Sequence, residues 1–434
     1  MVKAVGPRKA QFTFFRMDIL NMPPDIPRNR LRATDPVLLC WVLFGFGTVA
    51  IYVVPVLRKL RRFASDPLAA MWHQDFSNYW QAAKLTLQGN QHILFEPAQY
   101  LAHLQAEFGQ GAQPLAWSYP PHFLLFIWPV GYLPYLAALA TFLLATFALF
   151  AFSIVVFHRK FARDTDLKLT FVALIPYAVI TTFATQNGFF TAAVMLLALA
   201  YMSDRPVLAG LALAVLTVKP QLGFLFPLVA LLDRNWALLR WATLFTVVLV
   251  GLSTILFGLT AWQDFFANIV PNQQRVMNFW TGSFLLMMPT TFGSMRALGF
   301  HPVIAMGLHC LVAIASAVAT FWLLLRLRDP LHRAFVLLAG TLLISPYAFN
   351  YDMGALCVAA ALVAQTARAP HLRAAAIGIA LIAVFPGVFP HLAVSRLPIT
   401  PLLLAAGLVA LWHIARDGAP GDAQGLEPTS RPRS

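Results

Sequence analysis

Five stretches of this chain are apolar over the length of a membrane span: Pro36–Leu57, Tyr135–Phe157, Trp241–Phe257, Ile304–Leu325 and Leu397–Trp412. A helix needs about 20 such residues to cross roughly 30 Å of hydrocarbon, where every backbone N–H and C=O must find its partner inside the helix. Composition agrees. Of 434 residues, 59% are hydrophobic and only 11% charged, against about a quarter charged in soluble domains. So little charge cannot cover a soluble globule of this size. The expected fold is an all-α integral membrane protein of many spans.

The formal net charge of +14 raises the possibility of a nucleic-acid partner, because basic surfaces attract phosphate backbones. The basic residues instead occupy short connections between apolar runs, so no nucleic-acid partner is expected. Cys40, Cys310 and Cys357 all fall inside apolar runs, where a thiol acts as a small hydrophobe. Their spacing suggests neither a disulfide framework nor a metal site.

Lys and Arg favour the cytoplasmic side of short loops. The first 35 residues are basic, with prolines at 23, 24 and 27 among others, and lack the apolar core of a signal peptide. They read as a cytoplasmic tail. Threading from there gives about 12 spans: 36–57, 135–157, 170–185, 188–203, 206–218, 220–233, 239–258, 302–325, 333–348, 353–367, 373–390 and 398–414. The transmembrane domain is then 36–416, with large outer loops at 58–134 and 259–301. Residues 417–434, rich in Gly, Pro and Ser, form a disordered cytoplasmic tail. This threading leaves 22 of the 31 basic residues inside and 9 outside. Arg58, Lys59, Arg61 and Arg62 lie on the side that the rule disfavours. Pro121–Pro134 is apolar but broken by Pro129, Gly131 and Pro134, and reads as a re-entrant or surface-lying piece.

The polar clusters within apolar sequence then gather on the non-cytoplasmic face, and polar groups at membrane depth suggest function. They are His73 with Asp75, Tyr119 with His122, Gln186 with Asn187, Lys219 with Gln221, the Asn272–Arg275 stretch, and Ser345–Asp352. Asp75 precedes an aromatic-bearing helix that ends near Gly89. It suits a helix cap first, and second a general base accepting a proton from an attacking hydroxyl. The helix behind it would lie in the interface with its aromatic side in lipid. Lys219 suits a snorkelling lysine or a fixed cation for phosphate; Arg275 shares the second possibility. Gln186-Asn187-Gly188 also suits a simple turn, Asp352 a cap, and His122 an interface histidine. None of these clusters contains a D-x-D acid pair, so neither a metal nor another cofactor is expected.

The order Asp75-Phe76-x-x-Tyr79-Trp80-x-Ala82-Ala83, Glu96-Pro97-x-x-Tyr100 and Tyr119-Pro120-Pro121 resembles glycosyltransferase family 87. So do Gln186-Asn187-Gly188, Arg205-Pro206-x-x-Ala209-Gly210, Lys219-Pro220-Gln221 and Ser345-Pro346 with Tyr351-Asp352. The similarity runs from about 70 to 355. It implies a GT-C-type helical bundle whose first outer loop carries interfacial helices. It also implies transfer of a sugar, mannose in many such enzymes, from a polyprenyl-phosphate donor to a hydroxyl of a lipid-linked or extracytoplasmic glycan. By that resemblance Asp75 is the catalytic base and Lys219 binds donor phosphate, a role for which Arg275, by its charge, is the further candidate. Substrate contacts would fall among His73, Tyr79, Glu96, Tyr119, His122, Gln186, Asn187, Gln221, Tyr347, Asn350 and Asp352. Relatives often carry a histidine in the late motif, where this chain has Tyr347 and Asn350, and an aspartate where Glu96 stands. A bacterial inner membrane is the implied location, with the site facing away from the cytoplasm. A lipid or solute transporter is the alternative, since it too would place Asp75 and Lys219 in a cavity. The absence of visible internal repeats weighs against it.

Overall fold

The computed structural model describes residues 35–67, 75–109, 117–367, 369–393 and 399–417. His73, the two expected tails and Arg396 lie outside them. The described residues form helices joined by short connections, with no β-strand among them.

Three helices form the centre. Gly188–Tyr201, Pro330–Ile344 and Gly354–Thr366 are buried on nearly every side, as expected of helices apolar all round. Longer helices pack outside them and turn large apolar side chains outward. Phe46 is 76% exposed, Ile255 81% and Val303 72%. No polar surface competes for these faces, so only lipid can cover them. The chain is an integral membrane protein.

Six helices are long and apolar enough to cross: Pro36–Ser65, Tyr135–Phe161, Trp236–Phe257, Pro302–Arg326, Pro370–Val388 and Ile399–Arg416. Leu167–Ala173 and Ile175–Ala184, bent by 48°, would add a seventh as one broken span. The other stretches threaded as spans form shorter helices, such as Gly188–Tyr201 and Pro206–Leu216. At 1.5 Å per residue these fall short of the hydrocarbon thickness. They are nevertheless satisfied, because protein covers them. The first helix runs on to Ser65, past the expected exit at Leu57. The 259–301 loop is largely helical, including Val270–Phe279 and Thr291–Ala297. Pro121–Tyr132 forms three short helical turns instead of a span.

Connections grouped by the charge threading do meet in space. Phe161, Ser203, Asp233, Arg328 and Arg333 line one cavity at one end of the bundle. Nearby, Lys160 pairs with Asp204 and Arg333 with Asp233. The 118–122, 217–221, 262–273 and 347–352 segments meet at another cavity. Gly188–Tyr201 joins the two ends, starting beside Asn187 and stopping beside Met202.

Phe76–Leu87 departs from its expected setting. Phe76 and Tyr79 are 0% and 1% exposed, within an aromatic cluster that includes Tyr119, Phe123 and Phe142. Trp80 donates to the Leu133 carbonyl at 3.0 Å. Its aromatic side faces protein, not lipid, because the Pro121–Tyr132 turns fold over it.

Candidate functional site

Asp75 stands at the N-terminus of Phe76–Leu87 but makes no capping bond with its side chain. The Thr185 hydroxyl accepts from the Phe76 N–H at 3.1 Å. The Asp75 carboxylate is not engaged in the capping role that its position suggested. Its Oδ2 accepts from the Gln186 amide at 2.9 Å.

That bond ends a chain with one direction. Tyr79 donates its hydroxyl to Gln186 Oε1 at 2.5 Å. Its proton being committed, the Tyr79 oxygen accepts from the Tyr119 hydroxyl at 2.7 Å. Tyr119 in turn accepts from the Asn187 amide at 3.3 Å. The sequence of donors is Asn187, Tyr119, Tyr79, Gln186, and the final acceptor is Asp75. Hydrogen bonds aligned this way polarise one another toward the last acceptor. The same alignment fixes the orientation of the Gln186 amide.

Burial pushes the Asp75 carboxyl up from its usual range, while the Gln186 bond and the charge of Lys59 act against that rise. A carboxylate with raised proton affinity is well suited to accept a proton. Burial also raises Tyr79 and Tyr119, so both remain neutral donors.

Beside this chain lies a cavity of about 400 Å³. Tyr119, His122, Lys219, Gln221, Tyr347 and Asp352 contribute to its polar side. Thr246 and Val250 of the apolar Trp236–Phe257 helix, with Phe265 and Phe266, extend it along a membrane-spanning surface. Asp75 does not line the cavity. It reaches the wall through Gln186, Tyr79 and Tyr119, and its charge acts on Tyr347 and Tyr351.

Lys219 is buried and does not snorkel. Its Nζ donates to Asp352 Oδ1 at 2.7 Å and lies 4.9 Å from the Tyr351 ring centre. Asp352 Oδ2 accepts from the Phe349 N–H at 3.1 Å. The aspartate therefore caps its own turn and neutralises the lysine, so Lys219 is not a solitary cation.

His122 stacks on Trp262, with ring centres 5.7 Å apart. Thr217 donates its hydroxyl to the Ala214 carbonyl. The 3.0 Å contact between Thr217 Oγ1 and His122 Nε2 is then a bond from the imidazole N–H. Burial lowers His122 to about 4. It is a neutral ring whose Nδ1 is an acceptor, and that atom has no partner among the described residues. Asn187 Oδ1 is likewise buried without one. An unpaired buried polar atom costs about 1–3 kcal/mol, so His122 Nδ1, on the cavity wall, suits a ligand hydroxyl.

The remaining expected residues lie elsewhere. Glu96 accepts from Asn268 at 3.0 Å and ties two loop segments together. Asn350 is buried and donates to the Pro386 carbonyl at 3.3 Å. Arg275 is exposed on Val270–Phe279 and does not line the cavity. Thr185, Thr217 and Trp262 were not singled out as site residues in the sequence, because an isolated Thr or Trp carries no spacing signal. Lys59 was visible only as a violation of the charge rule. Asp164-Thr165-Asp166 does have D-x-D spacing, but it lies in a connection near the opposite end. There Asp166 caps the following helix by accepting from the Lys168 N–H.

The profile of glycosyltransferase family 87 matches residues 117–346, more than half of the chain. The match includes Tyr119, His122, Gln186, Asn187 and Lys219, while Asp75 and Asp352 fall beyond its ends. No curated protein and no solved structure matches the chain. Motifs and helices agree on the conclusion: the chain belongs to glycosyltransferase family 87 and is a membrane glycosyltransferase.

Proposed function

We propose that the enzyme transfers a sugar, mannose in the reading that its family resemblance suggests, from a polyprenyl-phosphate donor to a hydroxyl of a lipid-linked or extracytoplasmic glycan. One observation carries this reading. The cavity is polar at Lys219 and Asp352, yet continues along Thr246 and Val250 of a helix apolar enough to span the membrane. A nucleotide sugar has no use for the second half of such a cavity. An isoprenoid phosphate needs both halves.

In this reading Asp75 is the general base. The acceptor oxygen attacks the anomeric carbon, the bond from that carbon to the phosphate oxygen breaks, and the phosphate leaves with the electron pair. Asp75, half-buried at the start of Phe76–Leu87, takes the hydroxyl proton from an acceptor that approaches its open side. A single displacement inverts the anomeric centre. The Asn187–Tyr119–Tyr79–Gln186 chain aims the carboxylate, and Lys219 faces the phosphate side of the cavity.

The test is purified protein in lipid nanodiscs, offered a polyprenyl-phosphate sugar and, separately, the matching nucleotide sugar. Transfer is expected only from the lipid-linked donor. Asp75→Asn should fold, bind donor and lose transfer by at least about a hundredfold, the lower range for general-base catalysis. Activity confined to the nucleotide sugar would refute the donor assignment. Normal turnover in Asp75→Asn would refute the base.

A further inference from the structure

Of the four basic residues at the end of the first long helix, Arg58, Arg61 and Arg62 are exposed, whereas Lys59 is half-buried. Its Nζ donates to the Phe183 carbonyl at 2.7 Å and sits 3.8 Å from the centre of the Phe183 ring. Phe183 belongs to the last turn of Ile175–Ala184, where carbonyls lack helical partners and the helix dipole favours a cation. The chain then turns sharply at Thr185, whose φ of 53° is left-handed, a conformation costly for a β-branched residue. Two groups on that turn hold the Asp75 end of Phe76–Leu87. The Thr185 hydroxyl receives the Phe76 N–H, and the Gln186 amide holds the carboxylate.

We propose that Lys59 is a positioning residue of this glycosyltransferase: it clamps the Phe183–Gln186 turn and supplies the positive charge that keeps Asp75 aimed and ionised. This rests on the reading of Asp75 as the base. A strained turn carrying both contacts to the Asp75 end needs an anchor, and Lys59 provides one from another helix. Its charge also acts on the carboxylate directly. The titratable groups facing Asp75 are Lys59 from the first helix, Tyr79 from its own helix, and Tyr119, Tyr135, Tyr347 and Tyr351 from other segments. Phenols are uncharged at neutral pH, so among the described residues Lys59 is the cation in this set. This role also accounts for a lysine where the charge rule disfavours one.

The experiment is the pH profile of transfer by full-length enzyme in nanodiscs, for Lys59→Met, Lys59→Gln and Lys59→Arg. A base must be deprotonated, so activity falls as pH drops through the Asp75 pKa. Removing a nearby cation raises that pKa, and the acid limb should move to higher pH. The expected displacement is about 1 pH unit or more for Met and Gln, with activity recovering toward higher pH. Gln, which can still donate to the Phe183 carbonyl, should retain more of the maximal rate than Met. Arg should restore the limb. Donor KM should change less than kcat measured below neutral pH. An unmoved acid limb in Lys59→Gln overturns the proposal, whether activity is normal or donor KM alone rises. Lys59→Gln and Lys59→Arg, which keep a donor for the Phe183 carbonyl, decide the matter if Lys59→Met does not fold. Asp75→Asn separates the two ideas: an active Asp75→Asn removes the base, whereas an inactive one with an unmoved Lys59→Gln limb removes only Lys59.

Discussion

At the scale of single residues, charge is handled in pairs. Lys219 and Asp352 have side chains 7% and 1% exposed, at 2.7 Å from one another. Truncating one partner of such a pair leaves a bare charge in a dry site, at a cost of about 3–5 kcal/mol. Lys219→Ala is therefore expected to lower the melting temperature clearly. It should also reduce donor use by about one to two powers of ten, the worth of one charge-assisted contact to phosphate. The double variant Lys219→Met with Asp352→Leu should recover most of the stability and none of the donor use. Melting curves and donor KM measured on both variants check this. Recovery of both properties in the double variant would make the pair purely structural. From the sequence, Lys219 was legible as an anomalous cation and Asp352 as an anomalous acid. Their pairing across 133 residues was not, because nothing local encodes it.

Elements meet through glycines whose role is close approach. The Gln186-Asn187-Gly188 motif suggested a turn between helices, and residues 185–187 do join Ile175–Ala184 to Gly188–Tyr201. Gly188 itself opens the second helix, and the left-handed residue of the turn is Thr185. A Cβ at Gly188 would stand 2.2 Å from the Tyr351 carbonyl oxygen, which Tyr177 also binds at 3.0 Å. Gly188→Ala must push apart the segments that carry Asn187 and Asp352. It should cost about 1–3 kcal/mol, as overpacking does, and lower turnover with it. Gly378 is the contrast, since a Cβ there meets nothing within 4 Å. Gly378→Ala is expected to be stabilising by about 0.5–1 kcal/mol, because alanine loses less backbone entropy in a helix. Paired thermal denaturation and activity assays check both; equal behaviour of the two variants would contradict this account. Gly210 serves the same purpose in its own motif, where a Cβ would meet Trp241 at 2.6 Å.

Over the whole molecule, polarity is divided between two ends. The connections near Arg328 and Arg333 form one end, and the cavity beside Tyr119 and Lys219 lies at the other. With 22 of 31 basic residues assigned to the first side, that end is expected to face the cytoplasm. Reporter fusions after Ser434 and within residues 104–113 should report opposite sides of the membrane. Both reporters on one side would invalidate the threading and the outward-facing site together. The division also bears on the span count. Short central helices such as Gly188–Tyr201 belong to a bundle wider than a single ring of full crossings, and protein satisfies what lipid could not.

What the sequence by itself determined was whatever depends on runs and local order. Uncharged apolar stretches required helices in lipid, because only a helix satisfies its own backbone there. The order of short motifs around Asp75, Gln186 and Lys219 pointed to the family. What the tertiary structure alone decided was which polar groups share a proton or a charge. Asp75 fits a helix cap by sequence, yet its carboxylate makes no capping bond and is held by the Gln186 amide, more than a hundred residues away along the chain. Lys59 looked like a topological fault until the Phe183 carbonyl and Asp75 were brought beside it. Hydrogen bonds and ion pairs act over a few ångströms, and a chain folded across more than a hundred residues brings such partners together without any trace in their spacing.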